Sequence, residues 1–207
     1  MDAVLLARIQ FAVTVGFHFL FPPLSIGLAW LLVIVEGVGW RRNDPEYVQL
    51  GKFFGKVFAL TFAVGVATGI VMEFQFGTNW AGYSRYVGDI FGAALAAEGI
   101  FAFFLESGFL AVLVFGWDRV SSRMHFFSTI MVSVGSMFSA VWIIVANSWQ
   151  QTPAGYKLVE KTLGDGSVVT VAQLTDFWVA VFNHSTLHRL THVLVGAMLA
   201  AGFLVLS

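Results

Sequence analysis

The chain offers five histidines and a handful of acidic side chains in apolar surroundings, and their spacing decides what chemistry they could support. His18 lies in "QFAVTVGFHFLFPPLSIGLAWLL", with no polar neighbour to share the cost of an imidazole. An imidazole in an apolar helix has two low-cost fates: it hydrogen-bonds a neighbouring helix, or its neutral nitrogen binds a metal or haem iron. Phe11, Phe17, Phe19 and Phe21 supply aromatic bulk that could pack on a macrocycle, and Pro22 and Pro23 break the backbone one turn later, leaving room for a large ligand. Periodicity alone fits lipid-facing phenylalanines and a simple kink equally well.

His184, His188 and His192 in "FNHSTLHRLTH" fall at i, i+4 and i+8, on one face of a helix. Only two adjacent imidazoles of such a ladder reach one small ion, and no carboxylate completes a zinc set. His192 lies deepest and is followed by Gly196 and Ala200, whose small side chains leave a groove for a flat ring or a close helix. That makes His192 the haem candidate of the three, with a packing groove around a hydrogen-bonded histidine as the alternative. His125 reads as an interfacial histidine with no ligand role.

Glu98 and Glu106, in "GDIFGAALAAEGIFAFFLESGFLAVLVFGW", share a helix face about 12 Å apart in rise. An ionised carboxylate in hydrocarbon costs several kcal/mol, so each is expected to be protonated, paired or part of a polar pathway. Two titratable groups along one face suit a proton relay. Phe101, Phe103, Phe104 and Phe109 are expected to keep their surroundings dry. A pair of neutral acids stabilising helix contacts is the alternative, although such contacts contribute only about 0.6 kcal/mol on average. Glu73 and Gln75 close the second apolar segment, and Glu36 at the end of the first is expected to face water.

These residues sit on elements that the composition makes membrane helices. Of 207 residues, 58% are hydrophobic and only 11% charged, where a soluble domain is nearer a quarter charged. The mean hydropathy is +0.82. Five apolar segments, about residues 9–35, 53–74, 90–115, 126–148 and 177–207, are each long enough to cross about 30 Å of hydrocarbon as a helix. The predicted fold is an all-α integral membrane protein, a single membrane domain over residues 1–207 built as a bundle of five transmembrane helices. The connections read as polar loops, only the last of them long. Trp40, Trp80, Trp117 and Trp149 mark the helix ends as an interfacial belt.

Arg41, Arg42, Lys52, Lys56, Arg119 and Arg123 gather at one end, against Arg8, Arg85, Lys157 and Lys161 at the other. The first set should face the cytoplasm, which puts the N-terminus outside. A formal net charge of −1 argues against nucleic acid as a partner. The absence of cysteine excludes disulfides and thiolate-held clusters. "GVATG" and "GSMFSA" bring small residues to helix faces for close approach; neither is a phosphate loop. The start reads as mature chain rather than a signal peptide, and the abrupt end at Ser207 suggests a fragment or half of something larger, with a genuine five-helix chain as the alternative.

The stretches "RIQFAVTVGFHFLFPPLSIG", "GKFFGKVFALTFAVGVATGIVMEFQFGTNWAGYSRYVGDIFGAALAAEGIFAFFLES", "FGWDRV", "SAVWIIVANSWQQTP" and "HRLTHV" together resemble the N-terminal half of subunit I of cytochrome bd quinol oxidases. The resemblance implies a haem-carrying subunit of a membrane quinol:oxygen oxidoreductase in the electron-transport chain of a prokaryotic inner membrane. It implies that His18 ligates a high-spin haem, b-595 or d, and that His192 is one axial ligand of the low-spin haem b-558. It assigns Glu98 and Glu106 to proton delivery, and places Lys56, Glu73 and Gln75 in family motifs. The methionine partner of the low-spin haem is not matched by Met131, Met137 or Met198. The glutamate ligand of the other high-spin haem and the quinol-binding loop have no counterpart here. A second oxidase subunit and either a complementary C-terminal half or a second copy are therefore implied as partners, with quinol and oxygen as substrates. His184 and His188 are not the usual residues at their positions and could offer an extra metal or haem contact. Two other readings fit fewer of these residues: a bd-like haem b protein that transfers electrons without reducing oxygen, and a structural or proton-conducting subunit without haem.

Overall fold

The computed structural model describes residues 2–207. Within them, five helical stretches are long and apolar enough to cross a membrane: 3–42, 45–77, 81–115, 122–151 and 186–206. Backbone groups in hydrocarbon must be paired within their own segment, and these helices pair them.

The first crossing is made of two helices, α1 (Ala3–His18) and α2 (Phe21–Arg42). Asp2 caps α1 by accepting the Val4 N–H at 3.2 Å. The break at Phe19–Leu20 lies before the proline pair rather than at it. Pro22 and Pro23 occupy the first turn of α2, where a missing N–H costs no helical bond. Asn43 then ends α2 in the left-handed region (φ 52), which an asparagine tolerates. Asp44 accepts the Glu46 N–H at 3.0 Å and starts α3 (Pro45–Gly77) with proline as its first residue.

The third crossing is α4 (Ala81–Ala97), a π-helical segment (Glu98–Phe103) and α5 (Phe104–Phe115). The fourth is α6 (Ser122–Gln151), capped by Ser121. The connection after it, read from the sequence as a polar loop, is an antiparallel hairpin. Strands β1 (Tyr156–Thr162) and β2 (Val168–Leu174) pair from Tyr156 opposite Leu174 to Thr162 opposite Val168. The turn uses Gly166 at φ +83. There the Ser167 hydroxyl and N–H both donate to Asp165, which holds that carboxyl below its usual range. Ala172 packs with Val87, Ile90, Trp149 and Ala180, and the Leu174 N–H donates to Asp89 at 2.7 Å. The hairpin is thereby bolted to α4.

The fifth apolar segment is not one helix. It comprises α7 (Phe177–Val181) and α8 (Thr186–Leu206), and His184 falls in the break. Asn183 and Ser185 cause it: the Asn183 side chain accepts from the Ser185 N–H at 3.2 Å and from the Thr152 hydroxyl at 2.8 Å, in competition with helical bonds. The three histidines of "HSTLHRLTH" therefore do not form one helical ladder.

α2 is the centre of the bundle. Its Leu28, Ala29 and Leu32 pack with Phe58 of α3, Leu113 of α5, Val132 of α6 and Ala201 of α8. A Cβ at Gly27 would lie 2.2 Å from the Ala197 carbonyl oxygen, so glycine is what lets α8 approach α2. The packed face of α8 is thus Ala197 and Ala201, and Gly196, Ala200 and His192 lie on its exposed face. Two of the four belt tryptophans also depart from expectation. Trp80 and Trp149 are buried, because their indole N–H groups find partners inside: Gln10 Oε1 and the Ala154 carbonyl, each at 2.9 Å.

Candidate functional site

His18 ends α1 beside α3, and its Nδ1 lies 2.9 Å from the Thr68 hydroxyl. That hydroxyl donates its single proton to carbonyls one turn back, Val64 at 2.9 Å and Gly65 at 3.0 Å. With that proton on a carbonyl, Thr68 accepts from His18, which puts the imidazole proton on Nδ1 and leaves the Nε2 lone pair free. This is the arrangement of a metal-ligating histidine, in which the second nitrogen fixes tautomer and ring orientation. Gly69 leaves the ring room to lie close against α3. A Cβ there would stand 3.3 Å from the His18 Cε1 atom.

Replacing Thr68 by valine keeps the volume and removes the acceptor. The expected result is about a 10- to 100-fold loss of affinity for a metal or haem at His18, read by titration of the apo form.

Glu98 opens the π-helical segment and Glu106 lies in the first turn of α5. Both turn to the same neighbour, α6. The Ser139 hydroxyl donates to Glu98 at 2.7 Å, and the Ser136 hydroxyl donates to Glu106. An uninterrupted α-helix separates residues eight apart by about 80°. The wider π turn changes that register, a device common where helices carry function. Glu106 is only 6% exposed, and Glu98 is half-buried. Close approach of α5 to α6 rests on Gly135, where a Cβ would lie 2.9 Å from the Glu106 Cβ. The phenylalanines do less than expected: Phe101, Phe103 and Phe104 point outward, and of the four only Phe109 packs inside, edge-on to Phe127.

His192 lies on the outward face of α8, which packs on α2 and α6. One turn earlier, Arg189 bonds Asn147 of α6, and its Nε is buried with no partner among the described residues. An arginine donor left over beside an exposed histidine fits a ring that carries carboxylates. His184 and His188 are exposed and stack with ring centroids 6.3 Å apart. Glu73 and Lys56 are exposed on α3. Gln75 accepts from Gln10 at 2.9 Å and from Asn79 at 2.6 Å, tying α1 to the end of α3.

Two expectations reverse at the opposite end. Glu36 is 8% exposed rather than facing water, and His125 is 2% exposed rather than interfacial. They bond to each other, Thr129 donates to Glu36 at 2.5 Å, and the His125 Nε2 lies 3.1 Å from the Leu113 carbonyl. The pair spans 89 residues of sequence, so no local signal could have found it. Ser136 and Ser139 had a signal: both lie in "GSMFSA", where small size and a hydroxyl serve at once.

The sequence profile of the family described as cytochrome bd terminal oxidase subunit I matches residues 6–207. The chain is 42% identical over 205 residues to a cytochrome bd ubiquinol oxidase subunit 1 of Bacillus subtilis, covering 99% of this chain and 42% of that one. It is 44% identical over 204 residues to a cytochrome bd-II ubiquinol oxidase subunit 1 of Escherichia coli, covering 98% and 38%. Among solved structures, the bd oxidase from Geobacillus thermodenitrificans superposes with a TM-score of 0.85 at 31% identity, over 98% of this chain and 45% of that one. The chain thus spans less than half the length of each of these relatives.

Proposed function

This chain belongs to the cytochrome bd terminal oxidase subunit I family, and from that premise we propose that it is the N-terminal part of a haem-carrying subunit of a membrane quinol:oxygen oxidoreductase. It is a multi-pass protein of the bacterial inner membrane. His18 would hold a high-spin haem, b-595 or d, and His192 would hold a low-spin haem b of the b-558 type. The bound haems supply electron transfer and the reduction of oxygen to water.

The chain's own residues orient those groups and move protons. Thr68 sets the His18 tautomer. Arg189 has a buried donor, without a partner among the described residues, for a ring carboxylate at His192. Glu98 and Glu106 relay protons along the third crossing, each accepting from a serine of α6. Quinol binding and the remaining haem ligands would come from the rest of subunit I, or from a second copy of this chain, and a second oxidase subunit would complete the assembly. The basic end faces the cytoplasm and the N-terminus lies outside. The observation that carries the reading is the His18–Thr68 bond, because it leaves one nitrogen aimed for iron.

The test is a reduced-minus-oxidised spectrum of the complete subunit, purified with its partner in mild detergent. Low-spin haem b bands together with a chlorin or high-spin b band are expected. Haem b bands alone would leave an electron carrier without oxygen chemistry, and an empty spectrum would remove the haem reading.

A further inference from the structure

The Glu36–His125 pair is used by nothing above, and its geometry is unusually determinate. A carbonyl oxygen can only accept, so the bond to Leu113 places a proton on the His125 Nε2. The Nδ1 then faces Glu36 Oε1 across one shared proton. That proton can sit on either atom without moving a heavy atom. The other carboxylate oxygen accepts from Thr129, which is fully buried. A contact meant only to join α2 to α6 needs no titratable group, and a titratable pair in apolar surroundings costs more than such a contact returns.

The surroundings lead in two directions. On one side the Trp117 ring lies over the imidazole, centroids 4.0 Å apart. Beyond Trp117 is an open pocket of about 270 Å³ lined by Lys52, Lys56 and Asp118. Lys52 pairs with Asp118 at 3.2 Å and sits 5.8 Å from the Trp117 ring centroid. Arg119 and Arg123 lie at the same basic end. On the other side, α6 carries buried hydroxyls at Thr129, Ser133 and Ser136, spaced i, i+4 and i+7 on one face. Ser136 is the partner of Glu106. The steps along α6 are about 6 Å and 4.5 Å in rise, distances that one bridging water spans.

We propose that the Glu36–His125–Thr129 cluster is a proton inlet from the basic end of the bundle, and that the hydroxyl face of α6 carries protons from it to Glu106. A proton from water at the Trp117 side is taken up by the Glu36–His125 pair. One proton leaves by way of Thr129 to water beside Ser133, and the cluster returns to its starting charge. No electron moves and no covalent bond to carbon changes. The assignment rests on the proposed role of Glu106 and extends it to a source.

The test uses the complete oxidase in vesicles. Glu36→Gln is the informative variant: the amide oxygen still accepts from Thr129 and the amide N–H can donate to a neutral His125, so the helices stay joined while the proton store is lost. Haem spectra should be unchanged, oxygen consumption should fall by about tenfold or more, and the rate should become more sensitive to heavy water. Ser133→Ala interrupts the path without touching the pair and should slow turnover severalfold. It decides the matter if Glu36→Gln loses haem. Wild-type turnover and isotope sensitivity in a variant that keeps its haems would overturn the inlet. Glu106→Gln separates the two levels. If it is slow while the Glu36 and Ser133 variants are not, only the inlet fails; if it too turns over normally, the underlying proton route fails with it.

Discussion

If His18 holds a high-spin haem as proposed, replacing it by alanine in the complete oxidase is expected to leave a protein that inserts, folds and keeps the low-spin haem proposed at His192, but lacks one high-spin haem and consumes oxygen at background rate. The side chain ends α1 and belongs to no core cluster among the described residues, so alanine there removes little packing. What it removes is the nitrogen that Thr68 and Gly69 aim. Losing a group that merely orients a ligand costs about 10- to 100-fold in affinity, and losing the ligand itself costs more. His192 is on α8, which packs against α2 and α6, so the haem proposed there should stay. The measurement is a difference spectrum with haem quantified per protein. High-spin bands at full occupancy in the variant would sink the assignment of His18.

Glu106→Gln should separate chemistry from architecture. Glutamine keeps the volume beside Gly135, and its amide oxygen still accepts from Ser136, so the contact of α5 with α6 survives. It cannot take up or release a proton. If Glu106 carries protons to the oxygen-reducing site, turnover falls by about a hundredfold, within the range for removing a positioned acid–base group. Both sets of haem bands remain. A rate within about twofold of wild type would show that the buried acid serves packing alone, because a positioned proton carrier contributes far more than that.

Much of the bundle was legible before any coordinates. Long runs such as "FALTFAVGVATGIVM" leave the backbone no alternative in hydrocarbon but a helix, and the helices extend past the predicted ends because polar residues such as Asp44 and Ser121 cap them outside the apolar stretch. The hairpin was legible too, in the alternation of "SVVTVAQL" after "GDG", but its polarity read as a loop. The break at Asn183 was harder, since only competing side-chain bonds distinguish it from a continuing helix.

The candidate site divides in the same way. His18, His192, Glu98 and Glu106 stand out by residue type alone, because imidazole and carboxylate in apolar helices demand a reason. Their roles were not local. Which nitrogen of His18 is free depends on Thr68, fifty residues away. Which face of α8 packs depends on Gly27 of α2. Whether Glu36 meets water or His125 depends on how α2 and α6 cross. The sequence by itself determined that the chain spans a membrane as helices and which side chains it carries there at a cost, since both follow from transfer out of water one residue at a time. Only the tertiary structure decided which of those side chains share protons, because a hydrogen bond is set by distance and direction between helices, and neither is written in either helix alone.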